Sequence, residues 1–185
     1  TETNVVDKFP FANELTAVDH GDLSVARRLV STGHSSDTDG FVSGGYSAPA
    51  SPTTLDVIDK YSFATNVTAS DHGDLSQARE RSAGQSSAVN GYTSGGLINP
   101  PPGNVDTIDK FPFASTDGAS DVGDLSQTRR QMPGQSSTVS GYTSGGFTTV
   151  NTNTIDKFPF ATDTNASDVG DLAQLNVGAS NDSDL

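Results

Sequence analysis

The chain has 185 residues, enough for one domain or two very small ones. It carries 10 Lys+Arg against 23 Asp+Glu, a net charge of −13, which disfavours non-specific binding to nucleic-acid phosphates and to anionic membrane surfaces. Cysteine is absent, which excludes disulfides, thiolate zinc sites and a Cys nucleophile.

No apolar run approaches the ~20 residues of a membrane span, and no signal peptide is visible. The first residue is Thr1 rather than Met, which reads as a processed protein or a piece of a longer one. Asp supplies 20 of the acids and Glu 3, while Ser (24) and Thr (21) make up about a quarter of the chain. Such residues favour turns and caps over helix interiors.

Four elements recur in chain order. The first is Val-Val-Asp-Lys-Phe-Pro-Phe-Ala around Asp7, repeated at Asp59, Asp109 and Asp156. Period-2 alternation puts its two aromatics on one face of a strand. The second is Asp-x-Gly-Asp-Leu, at residues 19–23, 71–75, 121–125 and 168–172. Its distance from the first element is constant: 7 to 22, 59 to 74, 109 to 124 and 156 to 171. The third is Gly-His-Ser-Ser at Gly33, Gly-Gln-Ser-Ser at Gly84 and Gly134, and a decayed Gly-Ala-Ser at Gly178. The fourth, Gly-aromatic-x-Ser-Gly-Gly, has three copies, at 40–45, 91–96 and 141–146.

Constant spacing marks packed structure and variable spacing marks surface loops. The variable segments are 46–56, 97–106 and 147–153, the first two rich in proline (Pro49, Pro52, Pro100, Pro101, Pro102). Glycine pairs end strands where bulkier residues would not turn. No window shows helical periodicity. The expected fold is therefore all-β, a single domain over 1–185, with repeats of roughly 50 residues at 5–56, 57–106, 107–153 and 154–185, the last incomplete. Four short strands per repeat suggest a β-propeller of about four blades.

The order Arg130, Gly134-Gln135-Ser136-Ser137, Gly141-Tyr142-Thr143-Ser144-Gly145-Gly146, Ile155-Asp156-Lys157-Phe158, Gly170-Asp171-Leu172 resembles a kelch repeat. That resemblance implies a kelch-like propeller. Leu75, Leu125 and Leu172 stand where the kelch pattern has Trp in its fourth strand. In kelch order the chain starts on a third strand (residues 5–12) and ends in a first strand (175–180). The closing blade then lacks its second strand. Three readings follow: a four-bladed ring with an imperfect seam, a segment of a larger propeller, or a strand supplied by a second subunit. The repeat wording also resembles repeats in structural proteins of tailed phages of aquatic bacteria. This implies a non-enzymatic virion protein, in a tail, fibre or capsid decoration, that contacts other virion proteins or a host receptor or glycan. The alternatives are a calcium-dependent carbohydrate-binding module and an extracellular filament subunit that shares strands.

The candidate metal ligands are the paired carboxylates Asp19/Asp22, Asp71/Asp74, Asp121/Asp124 and Asp168/Asp171, because Ca²⁺ takes several oxygens from flexible loops. The competing reading is that these Asp side chains close turns on nearby backbone N–H groups. Asp7, Asp59, Asp109 and Asp156 are expected to pair with Arg27/Arg28, Arg79/Arg81 and Arg129/Arg130 from neighbouring strands. His20 and His72 share a repeat position with Val122 and Val169, and His34 aligns with Gln85 and Gln135, so no catalytic site and no cofactor is expected. The aromatic pairs Phe9/Phe11, Tyr61/Phe63, Phe111/Phe113 and Phe158/Phe160 are expected to pack between blades. Tyr92 and Tyr142, if buried, need a hydroxyl partner. Asn66, Asn165 and Asn181 begin glycosylation sequons at close to chance frequency. The expected setting is a virion or the cell exterior, in a homo-oligomer or with other virion proteins, without membrane insertion.

Overall fold

Glycine punctuation between short β-branched and aromatic runs yields short strands, and these fold back on one another as narrow antiparallel meanders. A computed structural model describes residues 2–10, 12, 15–30, 32–48, 53–101 and 103–175. Phe11, Pro49, Pro52, Pro102, Gly178, Asn181 and nearly all of the expected last strand lie outside the described residues. Among the described residues there is no helix.

The strands are β1 (Thr3–Lys8), β2 (Val18–Arg27), β3 (Gly33–Ser35), β4 (Asp39–Ser43), β5 (Tyr46–Ser47), β6 (Thr53–Thr54), β7 (Val57–Ser62), β8 (Ser70–Asp74), β9 (Ala83–Ser86), β10 (Asn90–Ile98), β11 (Gly103–Pro112), β12 (Ser120–Asp124), β13 (Gly134–Ser136), β14 (Ser140–Ser144), β15 (Thr154–Pro159) and β16 (Ser167–Asp171). They form three four-stranded sheets, β3-β4-β7-β8, β9-β10-β11-β12 and β13-β14-β15-β16, and two pairs, β1-β2 and β5-β6. Each four-stranded sheet is one copy of the repeat elements taken in the order third, fourth, first, second. The pair β1-β2 is the second half of such a unit. No sheet closes on itself among the described residues.

Register is conserved between units. The second-strand glycine lies opposite the third-strand aromatic in each four-stranded sheet: Gly40↔Tyr61, Gly91↔Phe111 and Gly141↔Phe158. A Cβ on Gly91 would lie 2.2 Å from the Phe111 ring, and one on Gly141 would lie 2.4 Å from Phe158. The glycine is there because the opposing ring lies across the strand.

One expected loop is ordered pairing. β10 does not stop at Gly95-Gly96. It shifts register there and continues, with Leu97↔Asn104 and Ile98↔Gly103. Both glycines have positive φ (59° and 120°), so they bend the strand without ending the ladder. The variable segments adjoin one another. Thr54 Oγ1 donates to the Asn99 carbonyl (3.2 Å), and Asn104 Nδ2 donates to the carbonyls of Phe147 (3.0 Å) and Thr148 (2.7 Å).

The core lies between sheets. One cluster joins the first and second four-stranded sheets through Phe41, Ile58, Leu75, Phe111 and Phe113. The next joins the second and third through Ala83, Tyr92, Ile108, Leu125, Met132 and Phe158. The Leu of Gly-Asp-Leu fills the same place in each, which is why an aliphatic side chain suffices there. Burying one such Phe or Leu stabilises the stack by about 1.5–3 kcal/mol. The first strands β3, β9 and β13 run side by side along the stack.

Candidate functional site

The Asp-x-Gly-Asp turns are the first chemical candidates. In each, the first Asp accepts from the glycine N–H two residues on: Asp19 from Gly21 (2.9 Å), Asp71 from Gly73 (2.8 Å), Asp121 from Gly123 (3.1 Å) and Asp168 from Gly170 (3.0 Å). This is Asx-turn chemistry. The second Asp docks the next unit through its backbone, since the carbonyls of Asp22, Asp74 and Asp124 accept from Ala69, Ala119 and Ala166 N–H, each at 2.7 Å. Burial, then the charges of Asp56 and Asp71, raise the Asp74 pKa; burial, then Asp106 and Asp121, do the same for Asp124. Among the described residues no three His, Asp or Glu side chains converge in a metal-ligating group. Asn66 and Asn165 also bind the preceding unit: Asn66 Nδ2 donates to the Asp19 carbonyl (3.1 Å), and Asn165 Oδ1 accepts from Asp124 N–H (3.2 Å).

The Asp-Lys strands give three buried ion pairs: Arg27–Asp59 (2.6 Å), Arg79–Asp109 (3.0 Å) and Arg129–Asp156 (2.8 Å), with side chains essentially inaccessible. Desolvation lowers each Arg pKa and the paired carboxylate opposes it. The same carboxylates accept backbone N–H groups from the preceding unit: Ser24 on Asp59 (3.1 Å), Ser76 on Asp109 (2.9 Å) and Ser126 on Asp156 (2.9 Å). A buried pair is weak evidence of net stability, but breaking one partner is costly. These pairs therefore fix the spacing of sheets. Asp7, the remaining copy, is exposed and no Arg reaches it among the described residues. The adjacent lysines point elsewhere, as the alternation of a strand requires: Lys8 donates to the Phe63 carbonyl (2.6 Å) and Lys110 pairs with Asp163 (2.8 Å).

The histidines are packing residues. His20 and His72 bond the carbonyls of Ser62 and Pro112 in the next unit, each at 2.9 Å. His34 is buried, with Nδ1 on the Gln85 carbonyl (3.1 Å) and Nε2 near Ser43 Oγ (3.0 Å); burial pushes its pKa down to about 4. Gln85, its counterpart, donates to the Tyr142 carbonyl (3.1 Å). A serine ladder that sequence reasoning missed runs beside this column: Ser35 N–H donates to Ser86 Oγ (3.1 Å) and Ser86 N–H to Ser136 Oγ (2.9 Å). Its only sequence signal is the invariance of that serine across the third element.

The aromatic pairs divide into two groups. Phe111/Phe113 receive the Phe41 ring, stacked on Phe113 at 4.7 Å and 17°. Phe158/Phe160 receive Tyr92, stacked on Phe160 at 4.8 Å and 23°, with the Tyr92 hydroxyl donating to the Phe160 carbonyl (3.4 Å). Tyr61/Phe63 keep the same edge-to-face geometry, 6.1 Å and 74°, but line a cleft of 680 Å³ beside β1. Phe63 is 37% exposed against 7% for Phe113, and Phe9 is 59% exposed. The expectation that all four pairs form inter-unit core is therefore corrected for Tyr61/Phe63 and Phe9, which stay partly exposed: among the described residues no strand beside β1 carries a ring into that cleft.

No protein-family model matches the chain, and comparison with curated proteins finds no match.

Proposed function

We propose that this protein is a non-enzymatic structural or adhesive module, built as a kelch-like β-propeller or an arc of one. One observation carries the reading: the repeated chemistry is spent on packing successive sheets. The second Asp of each turn, the Arg residues and the histidines all join one unit to the next. What differs between units is the adjoining set of loops and the end sheet. The mechanism is geometric, a rigid stack that presents loops and an edge to a partner. The resemblance of the repeat wording supports a virion protein of a tailed phage, in contact with sister subunits, other virion proteins or a host glycan or receptor. Among the described residues β1 pairs only with β2, which supports a second reading of the same kind, a filament subunit that shares strands.

Light scattering across a dilution series, with and without chelator, tests the module. The expected result is concentration-dependent assembly that chelator leaves unchanged. A monomer stable at all concentrations, with glycan binding lost on chelation, overturns it in favour of a calcium-dependent lectin.

A further inference from the structure

We propose that the cleft beside Arg130 binds one acidic sugar residue, with its carboxylate on the Arg130 guanidinium and its hydroxyls on threonines. The proposal rests on the module reading above and names the glycan class and the place that receives it. The cleft, of 320 Å³, lies where the second and third four-stranded sheets meet. Leu97 and Asn104 come from the variable segment 97–106, Thr148 and Thr149 from the variable segment 147–153, and Thr128 and Arg130 from the stretch between the second and third repeat elements.

The surroundings of Arg130 set it apart. The sequence holds six arginines. Arg27, Arg79 and Arg129 pair with aspartates, Arg28 with Glu2 (3.8 Å) and Arg81 with Glu80 (3.5 Å). Arg130 pairs with no carboxylate among the described residues, in a chain where 23 acids face 10 bases. Its side chain is nonetheless held. The guanidinium stacks over Phe147, 4.7 Å from the ring centre, and Nη1 donates to Asn104 Oδ1 (2.8 Å). Asn104 is fixed in turn by its bonds to the Phe147 and Thr148 carbonyls. Arg130 Nε is buried without an acceptor, and Nη2 makes no hydrogen bond among the described residues. Burial, then the charge of Arg81, lowers the Arg130 pKa, and Glu80 opposes this. A preorganised guanidinium with donors to spare suits a carboxylate, because charge-assisted bonds to Arg are about twice as strong as neutral ones.

The rest of the cleft suits a polyhydroxyl body. Thr128 and Thr149 are exposed, and their hydroxyls make no hydrogen bond among the described residues. Leu97 adds an apolar surface. The volume is at the small end for a ligand cleft, room for one residue rather than a chain. Charge narrows the class further. A net charge of −13 repels acidic peptides and other polyanions at long range. One local cation fits a ligand with a single carboxylate on a neutral polar ring, as in a uronate or N-acetylneuraminate. The molecule also carries its own control. The isolated pairings Glu80↔Leu97 and Arg130↔Phe147 occupy the same place in successive units. Glu80 therefore stands at the first junction where Arg130 stands at the second. A sugar carboxylate is repelled at one and attracted at the other, which gives one site per chain.

Saturation-transfer NMR titrations test this with methyl glucuronide, methyl galacturonide and N-acetylneuraminate as probes. Methyl glucoside, acetate and a tetra-aspartate peptide are the controls. Saturable one-to-one binding of at least one acidic sugar is expected, unchanged by EDTA and about tenfold or more tighter than any control. Arg130→Gln should weaken it by about tenfold or more, as loss of an anchor residue does, and Arg130→Glu, which copies the first junction, should abolish it. Thr149→Val, at an exposed hydroxyl, should leave the melting temperature unchanged and weaken the sugar about fivefold, the worth of one hydrogen bond. No saturable binding of any of the three sugars, equal binding of a control, or full affinity in Arg130→Gln and Thr149→Val overturns the proposal. So does binding that EDTA removes, since a metal and not Arg130 would then hold the carboxylate. Assembly in light scattering without binding of an acidic sugar sinks this proposal and leaves the module standing. Acidic-sugar binding at Arg130 accompanied by methanol release from a methyl glycoside does the reverse: the site stands and the non-enzymatic reading fails.

Discussion

The junction between the first and second four-stranded sheets and the junction between β1-β2 and the first sheet start from the same third-strand residues. Ile58-Asp59-Lys60-Tyr61 and Ile108-Asp109-Lys110-Phe111 differ only in the last ring. At the closed junction, Phe41 covers Phe113, His34 packs edge-on against Phe111 at 5.0 Å, and the rings are removed from water. At the open one, Tyr61 and Phe63 hold the same mutual geometry around an unfilled cleft. The receiving pair is thus preorganised by its own strand, and the covering ring adds burial without changing its shape. This also means that stability should be unevenly distributed, highest where both partners of a junction exist.

The sharpest way to break that contrast is charge. Asp109→Asn leaves Arg79 buried with no counter-charge and should cost about 3–5 kcal/mol in urea unfolding, whereas Asp7→Asn at the exposed copy should change stability by less than about 0.5 kcal/mol. Rings come next. Phe113→Ala removes a buried stacking partner and should cost about 3–5 kcal/mol, and Phe63→Ala at the open cleft should cost well under half as much.

Protonation of the closed junction is a third lever. The His34 pKa is about 4 in the fold against 6.5 unfolded, so the unfolded state binds the extra proton first. Stability should fall as pH drops from about 6.5 to about 4 and level off below, by roughly 3 kcal/mol in total if His34 acts alone. His34→Gln, the residue its sister repeats carry, should flatten that part of the pH profile measured by thermal melts. The smallest effect expected is at glycine: Gly84→Ala, crowded by the Gly33 carbonyl, should cost about 1–3 kcal/mol, while Gly33→Ala should be close to neutral. Equal effects at the two positions would mean that Gly33 is as crowded in solution as Gly84.

Much of this is legible in the sequence. The constant span from the Asp-Lys strand to Gly-Asp-Leu reports a packed third-to-fourth-strand hairpin, because an inserted residue there would move both the Asx turn and the carbonyl that holds the next sheet. The Arg–Asp pairing was legible because two charges recurring in an all-β chain need each other. The filled and empty junctions were not separable, since Tyr61-Ser62-Phe63 and Phe111-Pro112-Phe113 read alike; what distinguishes them is a strand far away in sequence. The same limit hid the continuation of β10 past Gly95-Gly96, where cross-strand partners Asn104 and Gly103 extend the ladder that local glycine chemistry suggests should end.

The Arg residues have one more consequence, a mechanical one. Arg79 joins two sheets at once. Its N–H donates to the Leu55 carbonyl (3.0 Å) and its carbonyl accepts from Gly45 (2.9 Å) in the preceding sheet, while its guanidinium grips Asp109 in its own. Arg129 repeats this with Val105, Gly96 and Asp156. Under tension along the stack these residues act as rivets, each shared by only two neighbours. Load passes from sheet to sheet through them in series, so the molecule should yield in discrete steps, one junction at a time, beginning at the β1-β2 end, where no Arg among the described residues pairs with Asp7.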